Sequence, residues 1–440
     1  MALLHPSSAP AALPELNLFT LPPTQTAVLG IYEVDTRPVS QVMGNHAPVE
    51  FTFGGDGPDY IDLARSKLKV KMKIVHADAT SSVLAADEEA NPINLALHSL
   101  WNQVDVTLGG RLMTQATGMY PYKSMIQTLL NYGKEAKESQ LLSQGYYYEE
   151  GKDMDDTTSE NNIAVAKKQP LFKTSKTVDF EGPLLEDVFH MNRYLLNNVE
   201  VGVKLYPSHS EFYILAGKAD TKYKVVLEEV MFKVCMVRVS PGVLLGHAKA
   251  LETRNALYNY TRCETKAFSI PKGTHSFNLD NVFQLSRPSR IVFGMVASDA
   301  FNGDYKKSPY NFQHFDVTDV AVVVNGETVP GRPLKLKFDD NQRDYISGYL
   351  GLFEGTGRSG TSFGNNLTPK DFASGYTLFV YNLDPDLKRG KYLNLVKRAN
   401  VRLELRFSKA LAETINVVVY AEHPGLFEID EARNVMSGTG

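Results

Sequence analysis

From Lys67 to Ile74 the chain alternates lysine with an apolar residue without a break: Lys67, Leu68, Lys69, Val70, Lys71, Met72, Lys73, Ile74. Successive side chains on a β-strand point to opposite faces, so this spacing puts Leu68, Val70, Met72 and Ile74 on one face and four lysines on the other. A helix would scatter both sets around its axis. The pattern predicts a strand with one buried and one polar face. A run of like charges on such a face reads as a solvated exterior, or as a surface meeting acidic residues of a neighbouring unit, before it reads as a nucleic-acid site.

The same reading predicts strands at Val49–Phe53 and Leu100–Leu108, the second closed by the turn glycines Gly109 and Gly110. The period then changes. Tyr122, Met125, Ile126, Leu129 and Leu130 recur at helical spacing, predicting an amphipathic helix that ends near Gly133. Gly145 to Pro170 is polar and acidic, with Glu149, Glu150, Asp153, Asp155 and Asp156; it lacks the ligand spacing of an EF-hand loop and reads as a solvated surface loop. Strand patterns resume at 177–180, 199–206, 211–215 and 223–239. After a joint at 240–255, where Pro241 and Gly242 open a short helix, they return at 266–270, 276–283, 290–297 and 316–324. Asn325-Gly326 is a hairpin turn, a helical period spans 345–352, and strands at 376–381, 401–407 and 414–420 complete the order.

The two halves share one plan. Phe51-Thr52-Phe53 matches Phe268-Ser269-Ile270, and the hairpin glycine Gly109 matches Gly326, both at an offset of 217 residues. Val199–Val203 matches Val401–Leu405 at the smaller offset of 202, which predicts a longer loop in the first half, at the acidic segment. A duplicated unit of roughly eight strands, apolar on one face, predicts an all-β protein of two tandem eight-stranded antiparallel jelly rolls with short helices in the connections. The expected boundaries are an extended N-terminal arm (1–25), a first jelly roll (26–240), a linker helix (241–256), a second jelly roll (257–430) and a C-terminal tail (431–440). The arm mixes Pro, Ala and Ser with Leu16, Leu18, Phe19 and Leu21, so docking on a neighbour and simple disorder are both open.

Bulk properties narrow the class. A hydrophobic fraction of 43% with 22% charged residues belongs to a globular protein, and 440 residues suit two cores. A net charge of −4 gives no overall field for condensing nucleic acid, and no specific nucleic-acid site is expected. Only Cys235 and Cys263 occur; Cys235 lies in an apolar run and is expected to be a buried free thiol. No stretch reads as a secretory signal or a membrane span, so synthesis inside a host cell is expected.

Catalytic signals fail on context. Gly355-Thr356-Gly357-Arg358-Ser359-Gly360 fits G-x-G-x-x-G, but dinucleotide binding needs a strand before it and a helix N-terminus after it, and here a helix precedes. Gly360-Thr361-Ser362-Phe363-Gly364 fits the nucleophile-elbow pattern without the following helix. The ten histidines are dispersed, with no H-x-H or H-E-x-x-H, and His98 reads as a satisfied packing residue. The expectation is a non-enzyme with no catalytic, cofactor-binding or metal-binding residue.

Three stretches resemble a known family. Asp59-Tyr60-Ile61-Asp62-Leu63 running into the lysine strand resembles the early strands of major capsid proteins of Polintons (Mavericks) and adintoviruses. Asn192-Arg193-Tyr194-Leu195-Leu196-Asn197-Asn198 before Val199 resembles their "leucine-leucine-asparagine, then strand" feature. Asn416–Glu422, then Ile429-Asp430 and Arg433-Asn434-Val435, resembles their last strand and tail. The resemblance implies a double jelly-roll subunit of the adenovirus hexon-like lineage. Such a subunit homotrimerises into pseudo-hexagonal capsomers that tile an icosahedral shell around double-stranded DNA. Its partners would be neighbouring capsomers, with penton and minor capsid proteins, and its location the virion capsid. The alternatives are a cellular jelly-roll carbohydrate-binding module and a cupin-like enzyme.

Overall fold

The computed structural model describes residues 5–39, 47–218, 221–283, 286–339, 343–387 and 394–437. Eight strands form the first unit: β1 (Val28–Thr36), β2 (Val49–Gly54), β3 (Tyr60–His76), β4 (Trp101–Leu108), β5 (Arg111–Leu112), β6 (Val178–Pro183), β7 (Glu200–Pro207) and β8 (Tyr223–Val239). They make two four-stranded antiparallel sheets, ordered β1-β8-β3-β6 and β2-β7-β4-β5. Eight more form the second: β9 (Ala256–Ile270), β10 (Ser276–Phe283), β11 (Arg290–Ala297), β12 (Val317–Val324), β13 (Glu327–Lys335), β14 (Leu378–Asn382), β15 (Val401–Phe407) and β16 (Ile415–Ile429). Their sheets are β9-β16-β11-β14 and β10-β15-β12-β13. Counted within each unit, both read 1-8-3-6 facing 2-7-4-5. That order is a jelly roll, and the chain contains it twice.

The helices lie in the connections: α1 (Tyr120–Asn131), α2 (Ile163–Phe172), α3 (Pro241–Leu251) between the rolls, α4 (Ile346–Glu354) and α5 (Pro369–Ser374). A last strand, β17 (Val435–Ser437), adds to the edge of β16. Residues 5–27 carry one turn of 3-10 helix at Pro14–Leu16 and are almost wholly exposed, Phe19 by 96%.

The lysine strand is β3. Leu68, Val70, Met72 and Ile74 are fully buried between the sheets of the first roll. Phe232 on neighbouring β8 reaches across to Phe51 and Phe53 on β2, with ring centroids 5.7 and 5.1 Å away, and so ties one sheet to the other. The lysine face is an ion ladder whose carboxylates come from the same sheet and not from a neighbouring roll. Lys71 meets Glu229 and Lys73 meets Glu228, both at 2.8 Å, while Lys67 reaches Glu33 on β1 at 3.1 Å. Lys67 and Lys233 stand directly opposite one another in the register; Glu33 offsets the first and Glu181 on β6, at 2.8 Å, the second.

The repeat reading holds in two of its three matches. Gly109-Gly110 and Asn325-Gly326 both turn strand four into strand five, and 199–203 and 401–405 both run along strand seven. The third is overturned: Phe51 lies on strand two of its roll and Phe268 on strand one. Both segments are short apolar-polar-apolar triplets before a glycine, and so short a pattern does not distinguish strands. Strand 211–215 is also corrected. Ser210–Tyr213 is a helical turn, and only Ile214–Ala216 is extended, paired with Ala90–Pro92.

The acidic segment is corrected as well. It does lengthen the first half, since residues 113–177 separate β5 from β6 where 336–377 separate β13 from β14. It is not a solvated loop. It contains a 3-10 turn at Gly151–Asp153 and most of α2, which Asn162 caps by accepting from the Ala164 and Val165 amides. Glu149 and Lys168 are buried against each other at 3.3 Å, and Asp155 accepts from Ser308 N and Asn311 Nδ2 of the second roll at 2.7 Å each. These carboxylates meet partners remote in sequence, which local polarity does not reveal.

Met72→Ala empties a fully buried site between the sheets and is expected to cost about 2–5 kcal/mol. Lys71→Ala, on the open face of the same strand, should move the urea midpoint far less. Equal effects at the two positions would refute this assignment of faces.

Candidate functional site

Among the described residues no group of His, Cys, Asp or Glu is placed to hold a metal, and the candidate site is the junction at which the two rolls meet. It is built around α1, whose residues Tyr120 to Leu130 are all buried. One side lies on β4 of its own roll and another on β9 and β16 of the second. Tyr122 points into an aromatic group drawn from both rolls, with Phe301 stacked at 5.4 Å and Tyr310 edge-on at 5.9 Å. The Tyr310 hydroxyl shares a hydrogen bond of 2.6 Å with Ser99 Oγ.

The next residue of α1, Lys123, supplies the charge. Its ammonium lies 2.5 Å from Glu186 Oε2 and 2.8 Å from Asp187 Oδ1, all three groups being buried. Asp187 also accepts the Cys263 backbone N–H of β9 at 2.8 Å. Cys263 Sγ lies 3.1 Å from the Tyr420 hydroxyl on β16; Gln127 of α1 donates to that hydroxyl at 3.2 Å, and the hydroxyl donates to Glu422 at 3.0 Å. Arg290 on β11 closes the chain against Glu422. Polar contacts therefore run unbroken from a helix of one roll through three strands of the other. A pocket of about 20 Å³, lined by Gln103, Thr117, Lys123, Glu186 and Thr265, adjoins the cluster and has room for a single water.

The charge balance sets the electrostatics. Burial draws the Lys123 ammonium down, but Asp187 and Glu186 outweigh it and hold its pKa above the ordinary lysine value. One cation faces two carboxylates, so a negative charge is left over. Burial, opposed by Lys123 and reinforced by Asp187, pushes the Glu186 carboxyl up to about 7.

A second seam lies along the corrected acidic segment. Tyr376 donates to the Glu149 carbonyl at 2.9 Å, Tyr148 donates to the Asp371 carboxylate at 2.9 Å, and Lys137 donates to the Asn365 carbonyl at 2.6 Å. Gly151 and Gly375 approach so closely that a Cβ on Gly151 would stand 2.6 Å from the Ser374 carbonyl oxygen. Near the C-terminus Arg433 grips Asn197 through its backbone and side-chain oxygens at 2.8 and 3.1 Å. The Asn197 and Arg433 stretches singled out in the sequence thus meet.

The other side chains singled out in the sequence fall at packing and loop positions. His98 is buried, bonded to the Tyr120 hydroxyl at 2.8 Å and Gln144 at 2.9 Å, and burial pushes its pKa down to about 4. Gly355 of the G-x-G-x-x-G match ends α4, and a side chain there would strike Val380 on β14. Ser362 lies in the irregular loop that follows. Both cysteines are buried and free. Among the described residues no group of three His, Cys, Asp or Glu could hold a metal ion, and no helix is long and apolar enough to cross a membrane. Sequence reasoning missed the Lys123–Glu186–Asp187 group; its one signal was a lysine on the apolar side of a helical period.

Lys123→Met leaves two buried carboxylates without their cation and is expected to cost about 3–5 kcal/mol in urea unfolding. The pH dependence runs against the usual carboxylate case. Between pH 4.5 and about 7 folded Glu186 keeps a proton that the unfolded chain has released, so its contribution to stability is lost as the pH rises through that window. Glu186→Gln removes this titration. Its stability relative to the parent should climb from pH 5 to about pH 7 by up to about 1.4 kcal/mol per unit and then level off; a difference independent of pH would refute the assignment.

Among known proteins, no family model matches the chain. An uncharacterised protein of Caenorhabditis elegans is 28% identical over 399 residues, covering 88% of this chain and 92% of that one. Among solved structures, a chain of the Sputnik virophage aligns with a TM-score of 0.66 at 12% identity, covering 98% of this chain and 93% of its own. The PBCV-1 virus capsid gives 0.61 at 10% identity, over 96% and 99%. The mavirus major capsid protein gives 0.53 at 13% identity, over 100% and 97%. At these identities the likeness is one of fold, and it spans both rolls: the chain is a double jelly roll.

Proposed function

We propose that this chain is a major capsid protein. It homotrimerises, its six jelly rolls imitating a hexagon, and the trimers tile an icosahedral shell around double-stranded DNA. The observation that carries this reading is the pair of rolls with identical strand order, joined by a buried junction, over a length that matches viral capsid subunits nearly end to end. Two rolls held rigidly at one angle are what a pseudo-hexagonal ring needs, because three copies then supply six similar corners. Neighbouring capsomers, penton and minor capsid proteins would be its partners, and the virion its location. The exposed apolar arm, residues 5–27, is suited to contacts between trimers.

Mass photometry of the purified protein should give one species at three times 48.9 kDa. A monomer or dimer at every concentration would sink the reading. Deleting residues 1–23 should leave trimers intact and impair shells in electron micrographs; normal shells from the truncated protein would remove the arm from assembly.

A further inference from the structure

The two rolls share a topology but differ in how their outer faces are covered. In the second roll, strands one and eight of the 1-8-3-6 sheet, β9 and β16, are covered from outside by two segments of the first roll. These are α1, from the connection between strands five and six, and the turn Asp187–His190, from the connection between strands six and seven. In the first roll the same two strands border an open groove, with Ile31 and Glu33 of β1 on one side, Ala64, Arg65 and Lys67 of β3 on the other, Cys235 of β8 between them and Pro183 of β6 at the end. Ile31 is 45% exposed there. The second roll's own connections between strands five and six and between six and seven present apolar side chains to solvent. Leu350 on α4 is 48% exposed, Phe363 in the following loop 74%, and Leu395 before β15 79%. Each chain therefore has an uncovered face of the kind it covers elsewhere, and uncovered segments of the kind that do the covering.

We propose that these two surfaces meet in a second copy of the chain. The α4–Phe363 loop and the Leu395 segment of one copy seat on the β1–β8 groove of the next, repeating between chains the junction that α1 and Asp187–His190 make within one. Charge at the groove is mixed, with Glu33 held by Lys67 and Arg65 beside them, and exposed Asp35 on β1 is the carboxylate that exposed Lys397 and Arg398, following Leu395, would meet. The interface is head-to-tail, so it closes only as a ring, and inside and between chains the junctions alternate. The inference rests on the trimer reading and specifies which surfaces build it.

Two variants test it. The first carries Leu350→Glu, Phe363→Glu and Leu395→Glu; the second carries Ile31→Glu with Ala64→Glu. All five side chains are exposed, so far-UV circular dichroism and thermal midpoints should match the parent. Each variant alone should remain monomeric, with half-assembly shifted to at least about 100-fold higher concentration. Mixed in equal amounts they retain one intact groove and one intact covering surface per pair, and mass photometry should show a heterodimer that grows no further. A parent that trimerises while folded variants also trimerise, or a mixture that stays monomeric, overturns the assignment of surfaces and leaves the trimer standing. A monomeric parent overturns the trimer itself.

Discussion

A β-sheet has two faces, and a jelly roll buries only one of them. The second roll cannot leave its other face in water, because β11 and the first half of β16 are buried along their whole length. Ile291 to Ala297 and Val417 to Ala421 run apolar without alternation, the pattern of strands covered on both sides. Part of the cover comes from the second roll itself, since α4 lies on β14. More comes from the first roll, from the turn Asp187–His190 and from α1, a helix that belongs to the first roll by chain order and to both by burial. The first roll has no such need, since on β3 the exterior positions are lysines answered by carboxylates of the same sheet. Two copies of one topology thus carry opposite exteriors, and the difference is what makes the pair a unit.

Apolar cover alone would not fix where α1 sits, because a smooth hydrophobic helix can slide along a smooth hydrophobic sheet. The polar chain through the junction removes that freedom. Lys123 must reach Glu186 and Asp187, Asp187 must reach the Cys263 amide, and Gln127 must reach Tyr420. A shift of one helical turn would strand a buried charge, a penalty of several kcal/mol. Ion pairs of this kind add little net stability over a well-packed apolar contact, so their contribution is to the angle between the rolls.

Much of the architecture could be read from the chain. The lysine alternation gave β3 and its buried face, the glycine turns gave both hairpins, and the offset of 202 residues located strand seven in each roll. What escaped detection shares a cause. β1 is an edge strand exposed along most of its length, so it carries no alternation to detect. The triplet at Phe268 was too short to tell strand one from strand two. Glu149, Asp155 and the Lys123 group are buried by partners far away in sequence, and a carboxylate looks the same whether its partner is water or an asparagine of the other roll. The junction was invisible for that reason, although the continuous apolar strands β11 and β16 already required that something cover them.

The contrast between the exteriors also bears on how much apolar surface the chain shows to water. If the first roll presented the apolar exterior of the second, every free chain would carry a bare sheet face, an aggregation hazard. A charge ladder along β3 and β8 avoids this. The apolar ground left on that sheet lies along the edge strand β1 and in the groove where four bulged residues, Leu63 to Ser66, push the end of β3 out of register with β8. Ser66 is held there by the Asp62 carbonyl and in turn accepts the Cys235 amide, so the bulge is built in and not a flaw in pairing. A polar face with one fixed apolar notch accepts a partner in one position only, whereas a uniformly apolar face would accept many. The lysine strand therefore serves two ends at once. Its inner face holds the first roll together, and its outer face keeps most of that sheet polar.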